Sequence, residues 1–129
     1  MKKLIIRQPE IVKKGWGHEV QIVNNEMYCG KVLHFDSGAR MSSHYHIDKT
    51  ETWYIAKGHV IISGIYPTIA EKYEIEAKVG DVIHINRGVI HQIFAIKESD
   101  VFEISTPDNS EDNYRVGKGD SQSNNERLS

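Results

Sequence analysis

The sequence predicts an all-β domain, a sandwich or barrel, on three observations. Apolar residues recur with a period of two rather than 3.6, nine short β-rich segments follow one another at near-regular spacing, and no amphipathic run of helical length interrupts them. The first fifteen residues can supply an edge strand. EVQIV (19–23) and MYCGKVLHF (27–35) flank an NNE turn, and DSG separates the second from RMSSHYHI (40–47). DKT then leads into ETWYIA (51–56), and KG into HVIISGIY (59–66). KYEIEA (72–77) and DVIHI (81–85) flank VGD, a tight Asn-Arg-Gly turn opens IHQIFAI (90–96), and KESD precedes VFEIS (101–105). The strands draw on β-branched and aromatic residues, which suit a pleated surface. The turns draw on Gly, Asn, Asp and Ser, which tolerate positive φ or bond their own backbone. GKGDSQSNNERLS (117–129) is small, polar and charged and is expected as a flexible tail, leaving residues 1–116 as one domain with its core at about 19–106.

Composition bounds the function. The chain of 129 residues, 39% hydrophobic and 26% charged, is ordinary for a globular protein and can bury a core of its own. Sixteen basic against eighteen acidic side chains give a net charge of −2, with no basic run and so no electrostatic case for nucleic acid. Cys29 is the single cysteine, so no intrachain disulfide forms and a reducing compartment is the default. The start MKKLIIRQPE holds only a three-residue apolar run, too short for a signal peptide, and no apolar run approaches the roughly 20 residues of a membrane helix. A cytoplasmic protein is expected.

The stretch HYHIDKTETWYIAKG (44–58) carries the first chemical signal. Residues two apart in a strand point to one face, so His44 and His46 project side by side, and Glu51 shares a face with Trp53 and Ile55. If that face is the barrel interior, two imidazoles and a carboxylate converge beside apolar walls, which is costly unless they are hydrogen-bonded or bind a metal. Turned outward, the same residues make an exposed polar hairpin. The spacing alone leaves both open.

A second run, GDVIHINRGVIHQIF (80–94), reads as strand, tight turn, strand, with His91 three residues after Gly88. Together the two runs resemble the paired motifs of the cupin family. Gly38, His44, His46, Glu51 and Gly58 match the first motif at its spacings, and Gly80, Gly88 and His91 match the second. Asn86 stands where the family usually has proline, and Ala95 where it often has asparagine; neither is a ligand position. The resemblance covers about residues 30 to 105 and implies a double-stranded β-helix of jelly-roll type. KGWGHE (14–19), GARMS (38–42) and EISTP (103–107) further resemble the small cupins similar to the C-terminal domain of bifunctional mannose-6-phosphate isomerases, with Gly15 in place of a proline. The sugar-nucleotide transferase that those enzymes join to the cupin has no counterpart in the sequence. Homodimerisation is a further expectation of the resemblance, supported by the edge strands a small sandwich exposes.

The resemblance implies that His44, His46, Glu51 and His91 bind one divalent transition metal. Three imidazoles and a carboxylate suit Zn²⁺, Mn²⁺, Fe²⁺, Co²⁺ or Ni²⁺. Four protein ligands leave an octahedral ion two open positions, which fit neighbouring oxygens of a sugar in a Lewis-acid aldose–ketose isomerisation, or O₂ and a substrate in a dioxygenase. A non-catalytic sugar-binding module is the third alternative; the first is the leading expectation, with a small sugar or sugar phosphate as ligand. Arg40 shares strand parity with the histidines and is a candidate for holding phosphate or carboxylate, against an outer salt bridge. His84 is a candidate proton shuttle and Glu103 a candidate base, each weighed against simple surface exposure. Trp53 and Tyr45 could stack on a sugar ring, although Trp53 is first a core residue.

Overall fold

In the structure, a computed structural model that describes residues 1–122, nine strands and no helix form among the described residues. They are β1 (Glu10–Lys14), β2 (Gly17–Asn24), β3 (Cys29–Phe35), β4 (Ser43–Tyr45), β5 (Glu51–Tyr66), β6 (Glu71–Lys78), β7 (Val82–Ile85), β8 (Ile90–Ser105) and β9 (Tyr114–Gly117). All pairings are antiparallel: β1-β2-β3-β8-β4-β9 follow one path, and β5 lies against β8, β6 and β7. No helix of the described residues is long and apolar enough to cross a membrane.

β5 and β8 are the spine, paired from Glu51↔Ser105 to Ile65↔Ile90. Each corresponds to two of the strands read from the sequence, because the KG and KESD clusters are bulges rather than turns. The register shifts between Ile55 and Val60, where Gly58 takes φ +92° and Ser99 Oγ accepts the His59 amide at 3.0 Å. A bulge bends a strand without ending its ladder. The effect on the site is direct: His91 pairs with Gly64 near one end of the spine and Glu51 with Ser105 at the other, yet His91 Nε2 and Glu51 Oε2 lie 3.7 Å apart. The spine has curled over itself. Beyond the bend β8 also changes partner, from β4 at His91 to β3 over Ser99–Ser105.

Alternation packs the interior. Glu51, Trp53 and Ile55 of β5 are buried while Tyr54 and Ala56 are exposed, and Leu33, Phe35, Val60, Ile62, Ile93 and Val101 complete the apolar core with Trp16 stacked on Phe35 at 4.4 Å. Each such side chain contributes about 1.5–3 kcal/mol through burial. That core holds a polar cluster in place at one end.

Four expectations are refined. The edge strand before residue 15 forms as β1. The strand expected over 40–47 shrinks to Ser43–Tyr45, because Met41 turns inward and its amide donates to Ile93 O, which breaks the parity between Arg40 and the histidines. β9 has no counterpart among the strands that the sequence predicts. Finally, residues 117–122, the start of the predicted flexible tail, are tied to the barrel: the Asp120 amide donates to Arg40 O, the Arg40 amide to Asp120 Oδ2, and the Gly15 amide to Ser121 Oγ. The rest of that tail lies outside the described residues.

Candidate metal centre

Three imidazoles from two motifs meet in the barrel. The ligand-capable atoms of His44, His46 and His91 all lie within 4.8 Å of one another. His44 sits on β4, His46 just past its end and His91 at the start of β8, with His44 and His91 directly paired across the ladder. The two turns that carry them are stapled together: the Gly88 amide donates to His46 O at 2.7 Å and Arg87 Nε to Asp48 O at 2.8 Å.

Each imidazole is oriented by the same device. His44 Nδ1 donates to Ser42 O at 2.9 Å, His46 Nδ1 to Asp112 O at 2.6 Å, and His91 Nδ1 to Val89 O at 2.9 Å. A carbonyl can only accept, so each Nδ1 carries the proton and each Nε2 presents a lone pair inward. Glu51 joins from β5. Its Oε1 accepts the Trp53 indole N–H at 2.7 Å, while Oε2 stands 3.3 Å from His46 Nε2 and 3.7 Å from His91 Nε2. Glu51 Oε2 and His91 Nε2 are buried and have no hydrogen-bond partner.

Such a cluster is poor core material. Each buried unsatisfied group costs about 1–3 kcal/mol, against a whole folding free energy of about 5–15 kcal/mol. A cation converts facing lone pairs from a liability into ligands, and imidazole N and carboxylate O are donors suited to a divalent transition metal. The backbone carbonyls behind each ring supply the outer bonds that ligating histidines need. The residues therefore fit a metal. Burial, followed by neighbouring His91, pushes the His44 imidazole down to about 3, and burial also lowers His91. Both are neutral and ready to ligate near pH 7. For His46, burial is outweighed by Glu51 and by the Asp112 carbonyl, so its pKa is raised.

A cavity of about 320 Å³ opens beside the histidines. Glu103, expected as a base or an exposed strand residue, is buried in its wall, with Lys49 Nζ at 2.9 Å and Lys31 Nζ at 4.0 Å from Oε2. Burial and the negative charge of Glu51 push its carboxyl up to about 7. Asp108 bridges the same two lysines at 3.2 Å each.

Of the five residues expected for catalysis or substrate binding, Glu103 alone lines this cavity. His84 is exposed on β7 and bonds Thr52 Oγ1 at 3.1 Å on the outer face. Arg40 lies over the Phe94 ring at 5.3 Å, on the face opposite buried Ile93 and Ala95. Tyr45 stacks on Tyr114 at 5.1 Å. Trp53 is 0% exposed, so it cannot meet a substrate; it positions Glu51 and packs edge-on against His91 at 5.4 Å.

Sequence reasoning missed Asp112. Its Oδ1 accepts the Ile47 amide at 2.7 Å and its Oδ2 the Asp48 and Lys49 amides at 3.0 and 3.1 Å, while its carbonyl holds His46. Burial opposes its charge, but these three amides hold the carboxyl below its usual range. No local signal in PDNSEDNY marks this role. Asp112→Ala leaves the carbonyl that holds His46 but removes the carboxylate that fixes the turn after it, so it is expected to cost about 2–3 kcal/mol as the amides of residues 47–49 lose their acceptor, and to lower metal affinity as that turn loosens. Metal titration and thermal melting of the variant check both; unchanged affinity would detach Asp112 from the site.

Fold and site together define a small antiparallel β-barrel built around a histidine cluster that could hold a metal ion. The chain belongs to the cupin family, whose sequence model, described as Cupin, matches residues 14–126. Among solved structures, oxalate decarboxylase from Bacillus subtilis resembles it with a TM-score of 0.73 at 16% identity, over 84% of this chain and 30% of that one. The capsular polysaccharide assembling protein CapF from Staphylococcus aureus does so with a TM-score of 0.73 at 17% identity, over 87% of this chain and 33% of that one. At these identities the likeness shows the fold alone, and the chain spans about a third of the length of either protein. No curated protein matches the sequence.

Proposed function

We propose that this cupin is a metal-dependent isomerase-like enzyme acting on a small sugar or sugar phosphate. The observation that carries the reading is the convergence of three carbonyl-oriented imidazoles on the unpartnered carboxylate oxygen of Glu51. His44, His46, His91 and Glu51 would hold one divalent transition metal, which supplies Lewis acidity toward a substrate oxygen. The chain's own part is positioning and proton transfer. Glu103 faces the same cavity with a carboxyl that exchanges its proton near neutral pH, as a base acting α to a carbonyl requires. Lys49 keeps its charge, since burial is outweighed by Glu103, Glu51 and Asp108, and it steadies that carboxyl between turnovers. The resemblance of KGWGHE and EISTP to the mannose-6-phosphate isomerase cupins supports the substrate class, and Glu103 itself opens the second of these motifs.

The test is interconversion of mannose 6-phosphate and fructose 6-phosphate, with free aldoses alongside, by protein loaded in turn with each candidate metal. Glu103→Gln is expected to retain metal and to lose about 10²–10⁴-fold in turnover. Absence of isomerisation with every metal would sink the enzymatic reading. Oxygen consumption by the Fe²⁺-loaded protein would replace it with a dioxygenase.

A further inference from the structure

Among the described residues, one cationic side chain of the cavity beside the histidines has no acidic partner. Four basic and four acidic side chains line it. Lys31 and Lys49 are matched by Glu103 and Asp108, and Lys14 stands 3.6 Å from Glu19. The guanidinium of Arg115, on β9, forms no ion pair or hydrogen bond with the described residues. A divalent metal ligated by Glu51 would leave the cavity with a net charge of about +2 when Glu103 is ionised, so electrostatic complementarity asks for a negatively charged ligand.

Strand register gives Arg115 its address. It pairs with His44 between β9 and β4, and His44 pairs with His91 between β4 and β8. Opposed residues of antiparallel strands project to the same face, with Cα atoms about 4.5–5.5 Å apart. Arg115 therefore stands one strand from the first ligand, at the exposed mouth of the cavity, and its planar fork suits two oxygens of one carboxylate or phosphate. Arg40 cannot serve, because its guanidinium is laid on Phe94 outside the barrel. Arg87 is committed to Asp48 O.

We infer that Arg115 anchors the anionic group of a small ligand whose other oxygens reach the cation held by His44, His46 and His91. The inference rests on the metal reading above and adds the ligand's class: a small oxyanion-bearing molecule, in which the carboxylate or phosphate is bound at β9.

The test uses the full chain, metal-loaded and metal-free, titrated calorimetrically with inorganic phosphate, malonate and neutral mannose, with metal content measured on each sample. Arg115→Gln is expected to keep its metal and to bind the preferred oxyanion at least tenfold more weakly, while Arg40→Gln binds as the unaltered protein does. Loss of the phosphate response assigns the group as phosphate, and loss of the malonate response as carboxylate. The inference is overturned if Arg115→Gln binds oxyanions unchanged, if the unaltered protein binds neither, or if mannose binds as tightly as the anions. Failure of the unaltered protein to take up any metal would sink the metal reading instead; Arg115-dependent anion binding by that metal-free protein would leave the subsite standing, and equal binding by both proteins would remove it.

Discussion

His91→Ala is expected to strip the protein of metal and leave the barrel folded. His91 is the one candidate ligand that the second motif contributes; the other three of the proposed set, His44, His46 and Glu51, come from the segment running from β4 into β5. Loss of an outer-shell partner typically costs 10–100-fold in metal affinity, so loss of a ligand is expected to cost more than about 100-fold. The fold withstands the change because two terms oppose each other. The side chain is 1% exposed and packs on Trp53, so truncation leaves a cavity of the kind that costs about 2–5 kcal/mol. In the metal-free protein, however, His91 Nε2 is a buried polar atom without a partner, and removing it returns about 1–3 kcal/mol. The melting temperature of metal-free protein should therefore move by a few degrees only. Elemental analysis and circular dichroism decide the matter. Full metal occupancy in the variant would mean that the second motif does not reach the site.

Much of this site was legible because inward positions in a strand cannot hide. Glu51 alternates with Trp53 and Ile55, and the structure buries all three. The same parity applied to MYCGKVLHF puts Lys31 in line with Cys29, Leu33 and Phe35, and applied to VFEIS puts Glu103 in line with Val101 and Ser105; all these residues are buried. A strand glutamate or lysine is by default a surface residue, and that prior hid a signal already present in the pattern. Parity failed for Arg40 for a different reason: the chain leaves extended pairing at Met41 and Ser42, and one irregular step flips every side chain before it. KG and KESD read as turns because glycine and acidic residues favour them, whereas here Gly58 and Ser99 build a bulge. Asp112 and Arg115 were out of reach of any local reading. They act through pairings 66 and 71 residues distant in sequence, to His46 and His44, and only the closed fold sets such contacts.

The second large effect is expected at a glycine that touches no ligand. Gly64→Ala should prevent stable folding, with a loss of more than about 4 kcal/mol, a size reserved for core disruption. A Cβ on Gly64 would sit 1.7 Å from the Ile90 carbonyl oxygen, 2.7 Å from its carbon and 2.6 Å from Tyr73 Oη. Carbon–oxygen contacts settle at about 3.3 Å, so the β5 and β8 backbones would have to separate by more than an ångström. Tyr73 cannot yield alone, because its hydroxyl donates to that same carbonyl at 2.8 Å. Gly64 is also the residue opposite His91, so the separation would begin where β8 delivers its ligand. Gly80→Ala is the control. Gly80 takes φ +94° with nothing within 4 Å of a built Cβ, so alanine there meets only the conformational cost of about 1–2 kcal/mol. Soluble yield, melting temperature and metal content of the two variants separate a steric requirement from a merely conformational one. If Gly64→Ala melts no lower than Gly80→Ala and holds its metal, the close approach of β5 to β8 is not what seats His91, and the ligand must be held by its bond to Val89 alone.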